Sequence, residues 1–373
     1  MRIGFDVAQT CVEKAGCGWV ADLLAKALAE AAPNDEFYLY HHFGDWLNPD
    51  MTQGTHLPKR NVREPLRGMS VEAARELWAA VASGARDLPG DPEIVHANCY
   101  RAPNVGSAKL VYTVYDMSFW TYPEFTTEEN RVICQQGTLE AISRAAGFVF
   151  ISQSSQDEFD SIFPGLRDRR EIVSIVALLA SRFPNIEDCR SEVPPGGWLA
   201  VWSLEPRKNY GTLLAALERY WERSKVRRPL IIAGGAGLKS EEIRRKIQAL
   251  VRRGLVCYEG YVSEERLKQL YREAFALVFP SHYEGFGLPI IEAMSQACPV
   301  ITRRNSSLQE VGGSAAIYYD DSVDDLVEWM LYIENSAHLY QERSRLSLTQ
   351  ARKFHWSITA QHVLELYHRL LTL

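Results

Sequence analysis

No pair of cysteines in this chain has the spacing of a metal or redox site. Seven cysteines lie scattered from Cys11 to Cys298 along 373 residues, odd in number and without one CxxC. That pattern argues for reduced thiols and against a disulfide framework. HxxxH, HExxH and Cys/His groupings are also missing, so no metal site is expected. No apolar run approaches the ~18–20 residues that span a bilayer; the longest, Ile172 to Ala180, is strand-sized. The opening MRIGFDVAQT enters a strand with no apolar signal segment before it. These absences lead to the expectation of a cytoplasmic protein, with peripheral contact at the inner face of a membrane left open. Charge of one sign is lacking too. The net charge is −6, and the basic clusters Arg167–Arg170, Lys225–Arg228 and Arg244–Lys246 sit among acidic or helix-forming residues. They read as solvated faces, and no nucleic-acid partner is expected.

What the chain does have is ordinary globular material: 46% apolar and 24% charged residues. Its length suits two or three domains. Short apolar runs alternate with amphipathic segments. Ile3–Ala8, Glu36–His41, Ile94–Ala97, Leu110–Tyr115, Gly147–Ile151 and Ile172–Ala177 read as strands, apolar on both faces as in a covered parallel sheet. Trp19–Ala31, Val71–Arg86, Glu128–Ala145 and Ser154–Phe163 read as the helices between them. The stretch Pro184–Gly197 has no clean period and reads as a linker. The rhythm then restarts with strands at Leu199–Ser203, Leu230–Ala233, Val256–Glu259, Ala276–Phe279, Val300–Thr302 and Ala316–Tyr319. Two helices close the chain, the last from about Ser357 to Leu371. The expected fold is α/β, with two Rossmann-like doubly wound halves and a helical tail.

Open α/β sheets bind ligands beyond the carboxyl ends of their strands, so those loops should carry the chemistry. In FPSHYEGFGLPIIEA, Phe279 to Ala293, a strand runs into a glycine-opened helix start with Pro289 in the first turn. Gly285 and Gly287 allow close backbone approach, and the helix start favours phosphate or a sugar. Glu284 and Glu292 can both point into one cleft, where a carboxylate grips two hydroxyls. In SLEPRKN, Arg207 and Lys208 end another strand and can neutralise a diphosphate. GGAG at Gly234–Gly237 lacks the GxGxxG spacing, leaving a tight turn as an equal reading. Gly16 and Gly18 precede the first long helix, suited to a phosphate or to a plain turn. Asp116 ends LVYTVYD, where a binding acid and a loop cap both remain open. His96 and His282 read as structural histidines.

PSHYEGFGLPIIEAM resembles the signature of the retaining glycosyltransferases of family four, with the Glu–seven residues–Glu spacing met by Glu284 and Glu292. LEPRKN, EGYVSEERLKQLY, NSSLQEVGG and FHWSITAQHVLELY are similar to further blocks of that family in the same order, and MRIGFDV and TVYDMSFWTYPEF to its N-terminal ones. The resemblance implies the GT-B fold, two Rossmann-like domains facing across a cleft: an acceptor-binding domain over 1–184, a nucleotide-sugar-binding domain over 185–354, and a helix over 355–373 crossing back to the first. It implies that Glu292 binds the donor ribose, that Glu284 meets the transferred sugar and that Arg207 and Lys208 hold the diphosphate. Backbone at Tyr261 and Val262 would meet the base, and backbone at Phe286, Gly287 and Leu288 the sugar or phosphate. The family commonly has His where Tyr115 stands, so a hydroxyl donor in its place and a different donor sugar both stay open. Trp19 likewise stands where Arg is common. The implied activity is a retaining, metal-independent hexosyl transfer to a glycan or lipid-linked sugar acceptor. The donor is a nucleotide-diphosphate sugar, GDP-mannose first, with UDP and dTDP sugars open and no further cofactor. A nucleotide-sugar epimerase of the same fold, or a non-catalytic sugar-nucleotide-binding protein, is the alternative.

Overall fold

The computed structural model describes residues 1–166, 172–186, 188, 192–237 and 240–373. The Arg167–Arg170 cluster and part of the expected linker lie outside them. The chain divides into two compact units, Met1–Leu179 with His355–Leu373, and Ala180–Phe354. The first unit therefore ends five residues before the expected 184. The reason is local: Ser181 Oγ meets Ser295 Oγ at 3.0 Å, and Arg182 Nε bonds Glu292 at 2.6 Å, so this stretch is tied into the second unit.

The first unit holds a seven-stranded sheet, ordered β3-β2-β1-β4-β5-β6-β7. Its strands are β1 (Arg2–Asp6), β2 (Glu36–Tyr40), β3 (Val62–Arg63), β4 (Ile94–Ala97), β5 (Lys109–Val114), β6 (Ala145–Phe150) and β7 (Val173–Val176). Every pairing is parallel. The period-2 burial expected for a sheet covered on both faces is visible in the side chains. Leu110, Tyr112 and Val114 of β5 join one core with Phe148 and Phe150. Val111 and Val149 join the opposite core with Ile3, Phe5 and Leu28. The extra strand β3 is two residues long, too short for any periodicity to announce it.

The terminal helix, Trp356–Thr372, belongs to the first unit. It lies against the helix Gly16–Ala31 and strands β6 and β7, burying Val363, Leu366, Tyr367 and Leu370. Gly147 of β6 admits it: a Cβ there would stand 3.0 Å from Leu370 Cδ1.

The second unit holds a six-stranded parallel sheet ordered β10-β9-β8-β11-β12-β13. Its strands are β8 (Trp198–Val201), β9 (Leu230–Ala233), β10 (Val256–Gly260), β11 (Ala276–Phe279), β12 (Val300–Arg303) and β13 (Ile317–Tyr319). The central strands β8 and β11 are buried along their whole length. Each unit is thus a doubly wound sheet with helical crossovers. Among the described residues, no helix is long and apolar enough to cross a membrane.

His96 of β4 is fully buried, its Nδ1 paired with Tyr367 Oη at 2.5 Å and its Nε2 with Thr113 Oγ1 at 2.7 Å. It is a structural histidine that ties the terminal helix to the sheet. Burial disfavours the imidazolium and pulls its pKa down to about 3. Between that value and an unfolded value near 6.5, the unfolded chain binds a proton the folded one refuses. Stability from this residue is therefore full above pH ~6.5 and falls as the pH drops towards 3. In a side-chain NMR titration His96 is expected to remain neutral at pH 5; a midpoint near 6 contradicts this packing.

Candidate active site

In the second unit the strand order reverses between β8 and β11, because β8 leads to β9 and β10 on one side and β11 to β12 and β13 on the other. At such a switch point the two following loops diverge and leave a crevice. Both loops carry the charged residues singled out in the sequence.

After β8 the chain makes one 3-10 turn, Pro206–Lys208, then a helix over Tyr210–Arg223. Asn209 between them takes a left-handed conformation (φ 55°), which asparagine tolerates better than most residues. Its side chain caps the helix at Thr212 N and donates through Nδ2 to Pro280 O at 3.2 Å. The backbone of Arg207 accepts from His282 N at 2.9 Å. The β8 loop is thus fastened to the β11 loop, which brings two cations beside Glu284.

Glu284 Oε1 accepts from Lys208 Nζ and from Ser281 Oγ, each at 2.6 Å, and Oε2 accepts from Arg207 Nη1 at 3.0 Å. Arg207 Nη1 also donates to Tyr283 O at 2.9 Å. The carboxylate side chain is only 9% exposed and Lys208 10%. Burial alone would raise the Glu284 pKa, but the Arg207 and Lys208 charges and the bonds from Lys208 and Ser281 outweigh it and hold it below the usual range. Lys208 is pulled down by burial and by Arg207, while Glu284 opposes both. Glu205 lies 3.9 Å from Arg207, so the two cations face two carboxylates and the formal charges cancel.

The loop then enters the helix Leu288–Ser295, with Pro289 in its first turn. Gly287 has φ 103°, a conformation open to glycine, and a Cβ there would stand 3.1 Å from Leu308 Cδ2. Ser307 Oγ reaches Glu284 O and Phe286 O at 2.8 Å each, pinning the loop around Gly285. Phe286 is buried against Phe354. Leu288 opens the helix, whose first N–H groups have no acceptor within it.

Glu292 does not share these partners. It lies on the inner face of the same helix, 1% exposed, with Arg182 forked onto both oxygens at 2.6 and 3.1 Å and Tyr271 Oη at 3.0 Å. The expectation that both glutamates point into one open space is thus replaced by two adjacent knots with separate donors. Three of about four lone-pair positions on Glu292 are already engaged in protein bonds. Arg182, Tyr271 and Ser281 were missed in the sequence. Arg182 lies between the expected strand Ile172–Ala177 and the expected linker, and nothing local marks a partner 110 residues away.

The other expected residues lie at neighbouring strand ends. Tyr261 and Val262 follow β10, Tyr261 being 59% exposed. The GGAG segment continues beside the chain that follows β8: a Cβ on Gly234 would stand 1.9 Å from Trp202 O, Leu204 N donates to Gly235 O at 3.0 Å, and Ala236 bridges in parallel to Leu204. In the first unit, Gly16 and Gly18 do not precede the helix but form its first turn. Gly18 permits close packing there, since a Cβ would approach Gln9 O to 3.0 Å. Asp116, two residues before the short helix Ser118–Thr121, accepts from Ser118 N at 3.0 Å and Ser118 Oγ at 2.8 Å. Tyr115 is 5% exposed at the end of β5, its hydroxyl without a hydrogen-bond partner among the described residues.

Comparisons with known proteins give the family and the fold. The family profile described as glycosyl transferases group 1 matches residues 198–350. O-antigen chain mannosyltransferase B of Escherichia coli is 30% identical over 281 residues, which are 70% of this chain and 71% of that protein. Among solved structures, sucrose-phosphate synthase from Thermosynechococcus elongatus aligns with TM-score 0.71 at 19% identity, covering 100% of this chain and 99% of that one. HepE of Anabaena, in complex with UDP and glucose, aligns with TM-score 0.70 at 18% identity over 99% and 100% of the two chains. At these identities the solved structures are likenesses of fold, the GT-B type.

Removing one partner of a buried ion pair strands the other charge, at a cost of about 3–5 kcal/mol. Arg182→Ala is expected to lower the urea unfolding free energy by about that much, and Arg182→Lys to recover only part because it lacks the planar fork. An Arg182→Ala change below ~1 kcal/mol, on the scale of an exposed pair, would contradict the Glu292 pairing.

Proposed function

Since this chain belongs to the group 1 glycosyl transferases, and is thereby a hexosyltransferase, we propose that the hexose is mannose, drawn from GDP-mannose and passed to a glycan or lipid-linked sugar with retention. Mannose is supported by the O-antigen mannosyltransferase at 30% identity. The observation that carries the donor reading is the contact of one buried carboxylate, Glu284, with both Lys208 and Arg207 at the switch point of the second sheet.

In this reading the chemistry is an exchange of partners. A pyrophosphate brings more negative charge than Glu284 and competes for Arg207 and Lys208. As the bond between the anomeric carbon and the phosphate oxygen breaks, the electron pair goes to the phosphate, and the two cations stabilise the charge that develops. The Glu284 carboxylate, relieved of one cation, is left facing the sugar, where positive charge grows on the ring. The acceptor hydroxyl attacks on the face the phosphate leaves, its proton passing to a phosphate oxygen as the new carbon–oxygen bond forms. Glu292 accepts from a ribose hydroxyl with its remaining capacity, and Tyr261 lies open at the end of β10 for the base.

The test is product analysis with GDP-mannose and a mannosyl acceptor, reading the anomeric configuration by NMR coupling. Retention is expected, and Glu284→Ala should lower turnover at least ~10²-fold, the scale of one lost transition-state contact. In a melting screen, GDP at 100 times its Kd should add ~2.7 kcal/mol of stability. Near-normal turnover in Glu284→Ala, or no shift with any nucleoside diphosphate, would overturn the reading.

A further inference from the structure

In the second unit the loop after β12 braces the β11 loop that carries Glu284. β12 ends in Arg303 and runs on through Arg304, Asn305, Ser306 and Ser307. Asn305 Nδ2 donates to Ser281 O at 3.2 Å and to His282 O at 2.7 Å. Ser306, a non-glycine residue with φ 41°, accepts from Glu284 N through its Oγ at 3.1 Å. With the bonds of Ser307 Oγ to Glu284 O and Phe286 O, the brace extends from Ser281 to Phe286.

Arg303 adds a bond of another kind. Its Nη1 stands 2.6 Å from Nδ1 of His282, and its Nη2 is paired with Asp321, just beyond β13. Asp321 has φ 79°, which non-glycine residues seldom adopt; such strain persists where the surroundings enforce it and clusters at functional sites. A guanidinium only donates, so Nδ1 of His282 must carry a lone pair and the proton of the neutral ring sits on Nε2. An imidazolium would set donor against donor and cation against cation. Burial and the Arg303 charge hold the His282 pKa below its ordinary 6.5, with Asp321 opposing.

His282 also sits where the β11 and β8 loops are fastened. Its N–H donates to Arg207 O at 2.9 Å, and Ser281 Oγ reaches the same carbonyl at 3.2 Å. One chain of contacts therefore runs from Asp321 through Arg303 and His282 to the backbone of Arg207, across the ends of β13, β12, β11 and β8. The other charged groups around it are committed elsewhere. Glu284, two residues on, is held by Lys208, Arg207 and Ser281. Tyr319 of β13 feels the Arg303 charge, but burial pushes its phenol up and keeps it neutral. Of the bonds that brace the β11 loop, the one from Arg303 alone depends on the charge of an imidazole.

We propose that Arg303 is a positioning residue for the diphosphate-binding cations, acting through His282 and only while that ring is neutral; the inference rests on the donor reading above. Calorimetric titration of the full chain with GDP from pH 7.5 downward, with imidazole NMR on the same samples, tests it. His282 is expected as the Nε2–H tautomer with a midpoint below 6.5 that rises in Arg303→Met, which keeps the stem and removes the fork. At pH 7.5 Arg303→Met is expected to weaken GDP binding about tenfold, the scale of one lost bond to a charged group. His282→Leu, which offers Arg303 no acceptor, should show the same loss, and His282→Asn, whose Oδ1 accepts without titrating, should restore the affinity. As His282 takes up its proton, the parent is expected to lose about tenfold relative to His282→Asn, a comparison that cancels the titration of the nucleotide itself. Should Arg303→Met fail to fold, the parent against His282→Asn still decides. The inference is overturned by an Nδ1–H tautomer, by equal pH dependence in the parent and His282→Asn, or by a folded Arg303→Met or His282→Leu that binds GDP as the parent does. A parent chain that binds neither GDP nor UDP fells the donor reading and this inference with it, whereas binding indifferent to all three variants fells this inference alone.

Discussion

A buried carboxylate with two cations on it is the constraint from which the second unit is organised. Glu284 could not be left inside the protein as an unpaired ion, because desolvation of a lone carboxylate costs far more than the fold can spare. Its position on the β11 loop therefore requires that the β8 loop deliver Arg207 and Lys208, and that requirement reaches into the backbone. Asn209 must take φ 55° to turn the chain from the cations into the following helix. His282 N must reach Arg207 O to hold the loops together. Only adjacent strands with diverging connections place two such loops side by side, which is what the reversal of strand order at β8/β11 supplies.

The first unit has the same topology and resolves its own switch point differently. There the order reverses between β1 and β4, and Asp6 at the end of β1 is 1% exposed. It accepts from Ala8 N at 2.9 Å and Asn98 N at 3.0 Å, but among the described residues no cation bonds to it. Burial pushes its pKa up to about 7, with those two backbone bonds and, more weakly, the charge of Arg101 opposing. The contrast with Glu284, held low, separates the two terms cleanly: burial acts on both acids, and the cations decide the outcome. One sheet end is thus held by strong ionic partners. The other is built from neutral or nearly neutral groups, Asp6, Tyr115 and the amide of Asn98 among them.

The alternation of elements was legible because burial on both faces of a parallel sheet leaves runs such as LVYTV and AGFVF, whose neighbours in sequence face opposite cores. The cluster of Arg207, Lys208 and Glu284 was legible because each residue sits at a strand's carboxyl end, a position that pattern alone marks. What could not be read was which charge neutralises which. Period and spacing place a residue on a face, but they carry nothing about a partner 110 residues away, and Arg182 stands between the last expected strand of the first half and the expected linker with nothing to mark it. The helix start at Gly16 was hidden for a different reason. Glycine is a poor helix former, and it is at Gly18, inside the first turn, that the close approach to Gln9 O calls for one.

Arg182 also changes what a second glutamate on that helix can mean. It lies three residues beyond Leu179, in the segment by which the chain enters the second unit, and its fork occupies both oxygens of Glu292. A ribose taking the remaining lone pair would therefore meet a carboxylate already fixed in orientation, so no side-chain freedom is lost on binding and the cost of ordering it falls on folding. The same bond makes Glu292 a poor competitor for any cation arriving with the donor. The adjacent acids thus divide the labour: Glu292 is locked and neutralised, suited to read hydroxyls by position. In the proposed reading, Glu284 is the acid whose partners a diphosphate takes away.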